Sequence, residues 1–448
     1  LFGFPHNEFG GNRKRSRPIH SNWDLIRPRM SLRIPTIMNR LLPIKGFRYA
    51  RANWEDSGEG VIKIQIASRK NSRGLCSKCE RPGPTYDHLP ERSWRFIPLW
   101  AILVFLKYAP RRIKCRDCGV HVEKVPWATG KLHLADPFRL LLSHWARKLS
   151  WKETAQSFRV NWNDVFSSIK WVVAYGKQHR SLEGTYAIGI DEIHVRKKNT
   201  KFRTLVYQID ESCRRLLWVG KGRSAKTLHG FLDSLTDSIR EGIKVVCSDM
   251  CQAYLTVVAE RLGHALQILD RFHIRKMQNE AVDDIRREEA KAMAEAGLDP
   301  LLKKTRWIFL KNRGNWTRRE KQKAGSLQKA NLRSFRAFVF VESFGHFWKY
   351  KSSTWAGKFL DQWCRKVAWS KLEPLKKRAR SIKKHRPLLL NYFKARKVYS
   401  SGVVEGLNNK VKLVIKRSYG FRTDEALELA LYHSLGKLPE PKLTPKLF

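Results

Sequence analysis

The chain has 448 residues, with 89 Lys and Arg against 40 Asp and Glu, a formal net charge of +49 at pH 7. An apolar share of 42%, with 16 Trp and 22 Phe, excludes a chain disordered over most of its length. So large a positive excess implies a polyanionic partner, with nucleic acid the first candidate and an anionic membrane surface the second.

A spanning helix is not expected, because the longest apolar run, FIPLWAILVFL at 96–106, is about half the roughly 20 residues required. The opening LFGFPHNEFGGNRKRSRP carries neither an apolar secretory segment nor an initiator Met. Met38 is therefore an alternative start, and a reducing, cytoplasmic, nucleoid-associated location is the expectation. Residues 1–44 are basic and rich in Pro and Arg, and are expected to form an extension without stable order.

From 45 to 130, short alternating runs such as GVIKIQIASR (60–69) and RRIKCRDCG (111–119) predict strands around two C-x-x-C pairs, Cys76/Cys79 and Cys115/Cys118. Four thiolates in two close pairs suit a tetrahedral Zn²⁺ that stabilises a small fold. The 35 intervening residues (80–114) exceed the common spacing, and unrelated thiols or a disulfide are the competing reading. His88 and His121 are substitute ligands. Cys213, Cys247, Cys251 and Cys364 lack metal spacing and read as core thiols.

Residues 131–180 predict three helical pieces, DPFRLLLSHWARKL, SWKETAQSF and NWNDVFSSIKWVVAYG, the second opening with Ser150 and Glu153 in capping-box order. Short helices in a basic chain fit a helix-turn-helix, with Lys152, Asn161, Trp162 and Asn163 as DNA contacts. A generic helical bundle is the bland alternative.

Residues 181–273 read strand, strand, strand, helix, strand, helix, strand: TYAIGIDEIHV, FRTLVYQID, RRLLWVGKG, AKTLHGFLDSLTDSI, IKVVCSD, QAYLTVVAERLG and ALQILD. That is the ribonuclease-H-like order. It would place strands one and four side by side, bringing Asp191 of the first within reach of Asp249 at the end of the fourth. Two neighbouring buried carboxylates repel and are costly to ionise. Divalent Mg²⁺ or Mn²⁺ resolves both penalties, and two such ions about 4 Å apart can drive an in-line displacement at phosphorus. Glu192 points to the opposite face of the strand. Asp270 and His273, read at the end of the fifth strand, are candidates for proton transfer or phosphate contact.

Residues 274–395 are helix-forming, basic and studded with Trp, and predict an all-α insertion. The helix GVVEGLNNKVKLVIKRSYGF (402–421) then returns to the core within a segment spanning 396–436, with a tail at 437–448. Val404, Leu407, Val411 and Val414 form its apolar stripe, while Glu405, Asn408, Asn409 and Lys412 share another side. Glu405 is expected to join Asp191 and Asp249. Asn408, Asn409, Lys412, Lys416 and Arg417, with Arg223 and Arg271, are expected to contact DNA phosphates.

Taken in order, AIGIDEIHVRK, GRSAKTL, SDMCQAY, LDRFHI and GVVEGLNNKVKLVIKRSYGF, preceded by the two C-x-x-C pairs, resemble the insertion-sequence-L-three family of bacterial DDE transposases. The resemblance spans roughly 45–435. It implies an α/β multi-domain chain: a ribonuclease-H-like mixed sheet with an all-α insertion, preceded by a zinc-binding β domain and a helix-turn-helix. It also implies that Asp191, Asp249 and Glu405 hold two catalytic Mg²⁺ (or Mn²⁺) ions. The partners would be double-stranded DNA, at element ends and target, and a second copy of the chain. A structure-selective nuclease on the same fold, or a non-enzymatic DNA-binding regulator, are the other readings.

Overall fold

A computed structural model describes residues 33–56, 60–195, 201–399 and 402–443. The chain forms two compact units, one running through Pro137 and the other covering Phe138–Lys442.

In the first unit, α1 (Ile34–Leu41) precedes β1 (Phe47–Glu55), β2 (Val61–Ser68), β3 (Gly74–Leu75), β4 (Pro82–Gly83), β5 (Thr85–His88), β6 (Arg92–Leu99), β7 (Ile102–Tyr108), β8 (Arg111–Cys115) and β9 (Gly119–Val122). The main sheet has the order β1-β2-β7-β6, with β5-β8-β9 forming a second. Alternation along β2 buries Ile62, Ile64 and Ile66 on one face. There they join an edge-to-face aromatic cluster in which the Trp127 ring lies 5.1 Å from Phe47 and 5.7 Å from Trp94.

Residues 1–32 of the expected basic extension lie outside the described residues. Its remainder is folded: Asn39 in α1 donates to the Tyr49 carbonyl at 2.7 Å and accepts from the Tyr49 amide at 3.0 Å. Met38 is buried in the middle of that helix, so a chain starting there would lose the first half of α1.

The second unit begins within α2 (Asp136–Ala146) and continues through α3 (Trp151–Ser157) and α4 (Trp162–His179). The capping box between Ser150 and Glu153 starts α3. A five-stranded sheet comes next, with β10 (Ala187–Val195), β11 (Lys201–Ile209), β12 (Arg214–Lys221), α5 (Ala225–Asp233), α6 (Asp237–Gly242), β13 (Val245–Ser248), α7 (Gln252–Arg261) and β14 (Leu266–Leu269). The sheet order is β12-β11-β10-β13-β14. β11 runs antiparallel to β10 and β12, whereas β10, β13 and β14 are parallel. The single helix read over 225–239 breaks in two, because Thr236 caps α6 by accepting from the Ile239 amide.

Both faces of the sheet are covered, which is why AIGID in β10 is buried throughout. Ile188, Ile190 and Val206 pack on Leu228 and Phe231 of α5 and Tyr254 and Val257 of α7. On the other face Ala187, Leu205 and Tyr207 share one core with Val165, Ile169 and Val173 of α4. The helices expected as a separate DNA-binding module over 131–180 are thus built into this unit, with no division at 180. Trp151 and Ala155 of α3 and Val165, Ile169 and Val173 of α4 are buried in the same core as residues of the sheet.

The last strand runs straight into α8 (Arg271–Glu295), which leads to α9 (Arg306–Leu310), α10 (Arg318–Lys329), α11 (Arg333–Phe344), α12 (Ser353–Ala368), α13 (Glu373–Lys384) and α14 (Arg386–Lys394). Trp316 and Trp363 are buried there, while Trp307, Trp355 and Trp369 are exposed. The chain then returns with α15 (Gly402–Arg417) and α16 (Asp424–Leu435). Beyond α16, Glu440 of the tail pairs with Arg147 and His144. Among the described residues, no helix is long and apolar enough to cross a membrane.

Candidate active site

Three aspartates stand in a row at the carboxyl edge of the parallel strands. β10 pairs with β13 up to Gly189 opposite Cys247, and the same register continued by two residues sets Asp191 level with Asp249. β13 pairs with β14 up to Ser248 opposite Leu269, so one further step sets Asp249 level with Asp270. The Asp270 amide donates to the Ser248 carbonyl at 2.8 Å, holding the row together.

Asp191 is 9% exposed. Its Oδ1 accepts from the Glu192 amide at 2.7 Å and its Oδ2 from Asn408 Nδ2 at 2.5 Å. Burial lifts its pKa to about 6; the Asp270 and Asp249 charges push the same way, while the Glu192 amide and His273 pull against them. Asp249, half-buried, accepts from the Cys251 amide at 3.0 Å, and burial likewise raises its pKa. Asp270 is not a strand residue but the cap of α8: Oδ1 accepts from the Phe272 amide at 2.7 Å and Oδ2 lies 2.6 Å from His273 Nδ1. His273 accordingly sits in the first turn of α8 rather than at a strand end. Its pKa is raised, first by that hydrogen bond and then by the charges of all three aspartates.

Helix α15 lies directly on β10 and β11. Gly189 makes this approach possible, since a Cβ there would stand 2.3 Å from Val404 Cγ2. Tyr207 Oη donates to Asn408 Oδ1 at 2.7 Å, so Asn408 is fixed in the orientation that offers its amide nitrogen to Asp191. Asn408 is therefore not a phosphate contact. It is 6% exposed and sits with the apolar stripe of Val404, Leu407, Val411 and Val414.

Glu405, one turn earlier, is exposed and lines a cleft with Arg271, Phe272, Gln278 and Trp348. The carboxylate oxygens of Asp191, Asp249 and Glu405 do not all lie within 4.8 Å of one another. Among the described residues that spacing is met only by the four cysteines. The two aspartates are neighbours across the sheet, whereas Glu405 stands at the cleft wall.

The other expected DNA contacts divide. Lys152, Asn161, Trp162, Asn163, Asn409, Lys412 and Lys416 are exposed. Trp162 also stacks on Phe166 at 5.2 Å, and the Asn161 amide donates to Asp164 Oδ2 at 3.1 Å at the start of α4. Arg417 is occupied structurally, its Nη1 donating to the carbonyls of Arg147 and Lys148 at 2.5 and 3.3 Å. Arg223 lies 3.4 Å from Glu192 Oε1 and over the Phe202 ring. Arg271 donates to Tyr392 Oη at 3.1 Å and lies over Trp348.

In the first unit, Cys76, Cys79, Cys115 and Cys118 bring their sulfurs within 4.8 Å of one another, with 3.4 Å between Cys79 and Cys115. A tetrahedral zinc with Zn–S bonds of about 2.3 Å needs sulfurs roughly 3.8 Å apart, so the donor set fits a structural zinc. The amides of Asp117 and Cys118 lower the Cys115 thiol to about 7, while the hydrogen bond with Cys79 and burial lift Cys118 to about 12, so the first thiolate of the group forms at Cys115. His88 and His121 are not in the group. Sequence reasoning missed Glu123 beside it: its buried carboxylate accepts from Arg111 Nε and Nη2 at 2.9 and 2.7 Å, from the Arg111 amide at 2.7 Å and from Tyr108 Oη at 2.5 Å. Only its place one residue after β9 hints at this. Likewise, the equal register steps from Asp191 to Asp249 to Asp270 become visible only once the strands are paired.

Comparison with known proteins gives the family. Residues 188–431 match a family model described as a transposase. The transposase for insertion sequence element IS1001 of Bordetella parapertussis is 24% identical over 87% of this chain and 95% of that protein. The transposase for insertion sequence element IS1557 of Mycobacterium tuberculosis is 27% identical over 86% of this chain and 91% of that protein. The chain belongs to the insertion-sequence-L-three (ISL3) family of DDE transposases.

Proposed function

We propose that the chain cuts a phosphodiester at each end of its element and joins the freed 3′-hydroxyl to target DNA, using a ribonuclease-H-like core. The observation that carries this reading is a pair of carboxylates, buried Asp191 and half-buried Asp249, level with each other at the ends of adjacent parallel strands and both raised in pKa by burial. Such a pair is a cation site in chemical terms, because a divalent ion offsets both the burial and the repulsion. Asp191 and Asp249 would hold magnesium or manganese, with Glu405 completing the set from α15. When bound, those ions supply charge stabilisation for in-line displacement at phosphorus.

The remaining roles fall to the chain's own groups. Asn408 holds Asp191 in one rotamer. Asp270 favours the protonated form of His273 by accepting from Nδ1, and in that form Nε2 would donate to a phosphate oxygen. Exposed Asn409, Lys412 and Lys416 on α15 would sit along the DNA backbone. In the first step water adds to phosphorus and the 3′-oxygen leaves; in the second that 3′-hydroxyl adds to a target phosphorus and a target 3′-oxygen leaves. The four cysteines would bind a structural zinc, and two chains would be needed to hold two ends.

The test is Asp249→Asn assayed with labelled element-end duplex, target plasmid and Mg²⁺. Joined products from the wild type, and end binding without cleavage by the variant, are expected. Cleavage by the variant removes Asp249 from the centre. Cleavage without joining by the wild type makes the protein a nuclease.

A further inference from the structure

A cleft of about 380 Å³ opens beside Glu405, floored by one face of α8 and walled by Trp348 and the first turn of α15. The volume lies in the roughly 300–1,000 Å³ range of small-ligand sites. Arg271, Arg275 and Gln278 lie along α8 at i, i+4 and i+7, so their side chains share that face. Gln278 is 1% exposed, and its Nε2 has no hydrogen-bond partner. A buried amide donor left unpaired is costly, and Gln278 lines the cleft, so an acceptor entering the cleft, water or ligand, finds a donor there. Phe272, in the first turn of the same helix, is 51% exposed despite being a large apolar ring. The Arg271 guanidinium lies 5.1 Å from the Trp348 ring centroid, which orients a cation at the same opening.

We infer that this cleft receives a single unpaired deoxynucleotide from the DNA strand being processed. Its base stacks on the Phe272 and Trp348 side of the cleft, an acceptor on its edge bonds Gln278 Nε2, and Arg271 lies beside its phosphate. The inference rests on the proposed carboxylate centre, since Glu405 belongs to both. The ligand class comes from chemistry. Aromatic faces beside a cation suit base stacking, and every nucleobase presents acceptors to an amide donor. A base leaves the stack most cheaply where the duplex ends or is nicked, and the proposed first cleavage makes such a break at the element end.

The experiment uses the full chain without divalent metal, so that no cleavage intervenes. The probe is a short duplex whose one unpaired terminal nucleotide is 5-iodo-2′-deoxyuridine; it is irradiated and the adducts are mapped by mass spectrometry. Adducts at Phe272 or Trp348 are expected. Gln278→Leu and, separately, the surface change Phe272→Ala should each reduce the preference for the unpaired-end duplex over a blunt one by about tenfold. Adducts confined to other residues, or an unchanged preference in both variants, overturn the inference and leave the cleft a solvated groove. The underlying reading fails separately: adducts at Phe272 together with cleavage by Asp249→Asn would keep the nucleotide cleft and discard the carboxylate centre.

Discussion

Asp191→Asn should abolish joining and yet stabilise the metal-free protein. Burial raises the Asp191 pKa from 3.8 to about 6, so the folded state holds its proton more tightly than the unfolded chain. Below about pH 3.8 the residue is neutral in both states and costs nothing. Between about pH 3.8 and 6 the unfolded chain releases this proton while the folded chain keeps it, so stability falls, by about 1.5 kcal/mol at pH 5, and above the folded value the loss levels off at about 3 kcal/mol. Asn removes that penalty while keeping the shape. Its oxygen can still accept from the Glu192 amide, and a flip of the Asn408 amide, with the Tyr207 hydroxyl turning to accept, gives its nitrogen an acceptor. Thermal unfolding in EDTA should therefore show the variant melting several degrees above the wild type at pH 7.5, with a smaller gain at pH 5. Adding Mn²⁺ should raise the wild-type midpoint and leave the variant unmoved. A variant that melts lower at pH 7.5, or gains equally at both pH values, would refute the account of a carboxylate strained by burial.

Other consequences can be measured alongside. Asn408→Leu should cost about 1–3 kcal/mol by stranding the Tyr207 hydroxyl and one Asp191 oxygen, and should lower joining more than end binding. Gly189→Ala forces a methyl against Val404 and should destabilise by about 1–3 kcal/mol, with Val404→Ala in the same chain restoring both stability and cleavage. Glu123→Ala should lower the stability of the first unit by about 3–5 kcal/mol, because Arg111 would keep a buried, unpaired charge. Cys115→Ser should reduce bound zinc from about one per chain, measured by atomic absorption, and melt the β5-β8-β9 sheet without altering the circular dichroism of the helical unit.

Much of this architecture was legible because periodicity is local. The strand order of the second unit, the Ser150–Glu153 cap and the apolar stripe on α15 are each written in side-chain spacing. The features that escaped depend on where an element docks. Asn408 lies at the spacing of the polar side and reads as a DNA contact, yet α15 is rolled far enough onto β11 for Tyr207 and Asp191 to enclose it. Arg417 reads as one more basic residue on a basic helix, but the α2–α3 turn brings two backbone carbonyls to it. The helices at 131–180 look like an independent module because their amphipathicity is ordinary; nothing local says that α3 and α4 are buried in the same core as the sheet. Asp270 and His273 read as strand-end residues, since an Asp that closes a strand and one that caps the next helix carry the same local pattern up to that position.

The placement of α15 also explains how so basic a chain keeps an acidic centre in register. A field of +49 lowers the cost of carboxylates generally, but it cannot orient them. Orientation comes from a single docking event. Gly189 admits Val404, that contact sets the height of α15 over β10, and the height brings Asn408 to Asp191 while presenting Glu405 at the cleft. One helix thus fixes the rotamer of one acid and the position of another that lies 214 residues later in the chain. The Gly189→Ala and Val404→Ala pair is the sharpest probe of this coupling. If lifting the helix left cleavage intact, the acids would be aligned by the metal and DNA alone, and the tight packing at Gly189 would serve stability only.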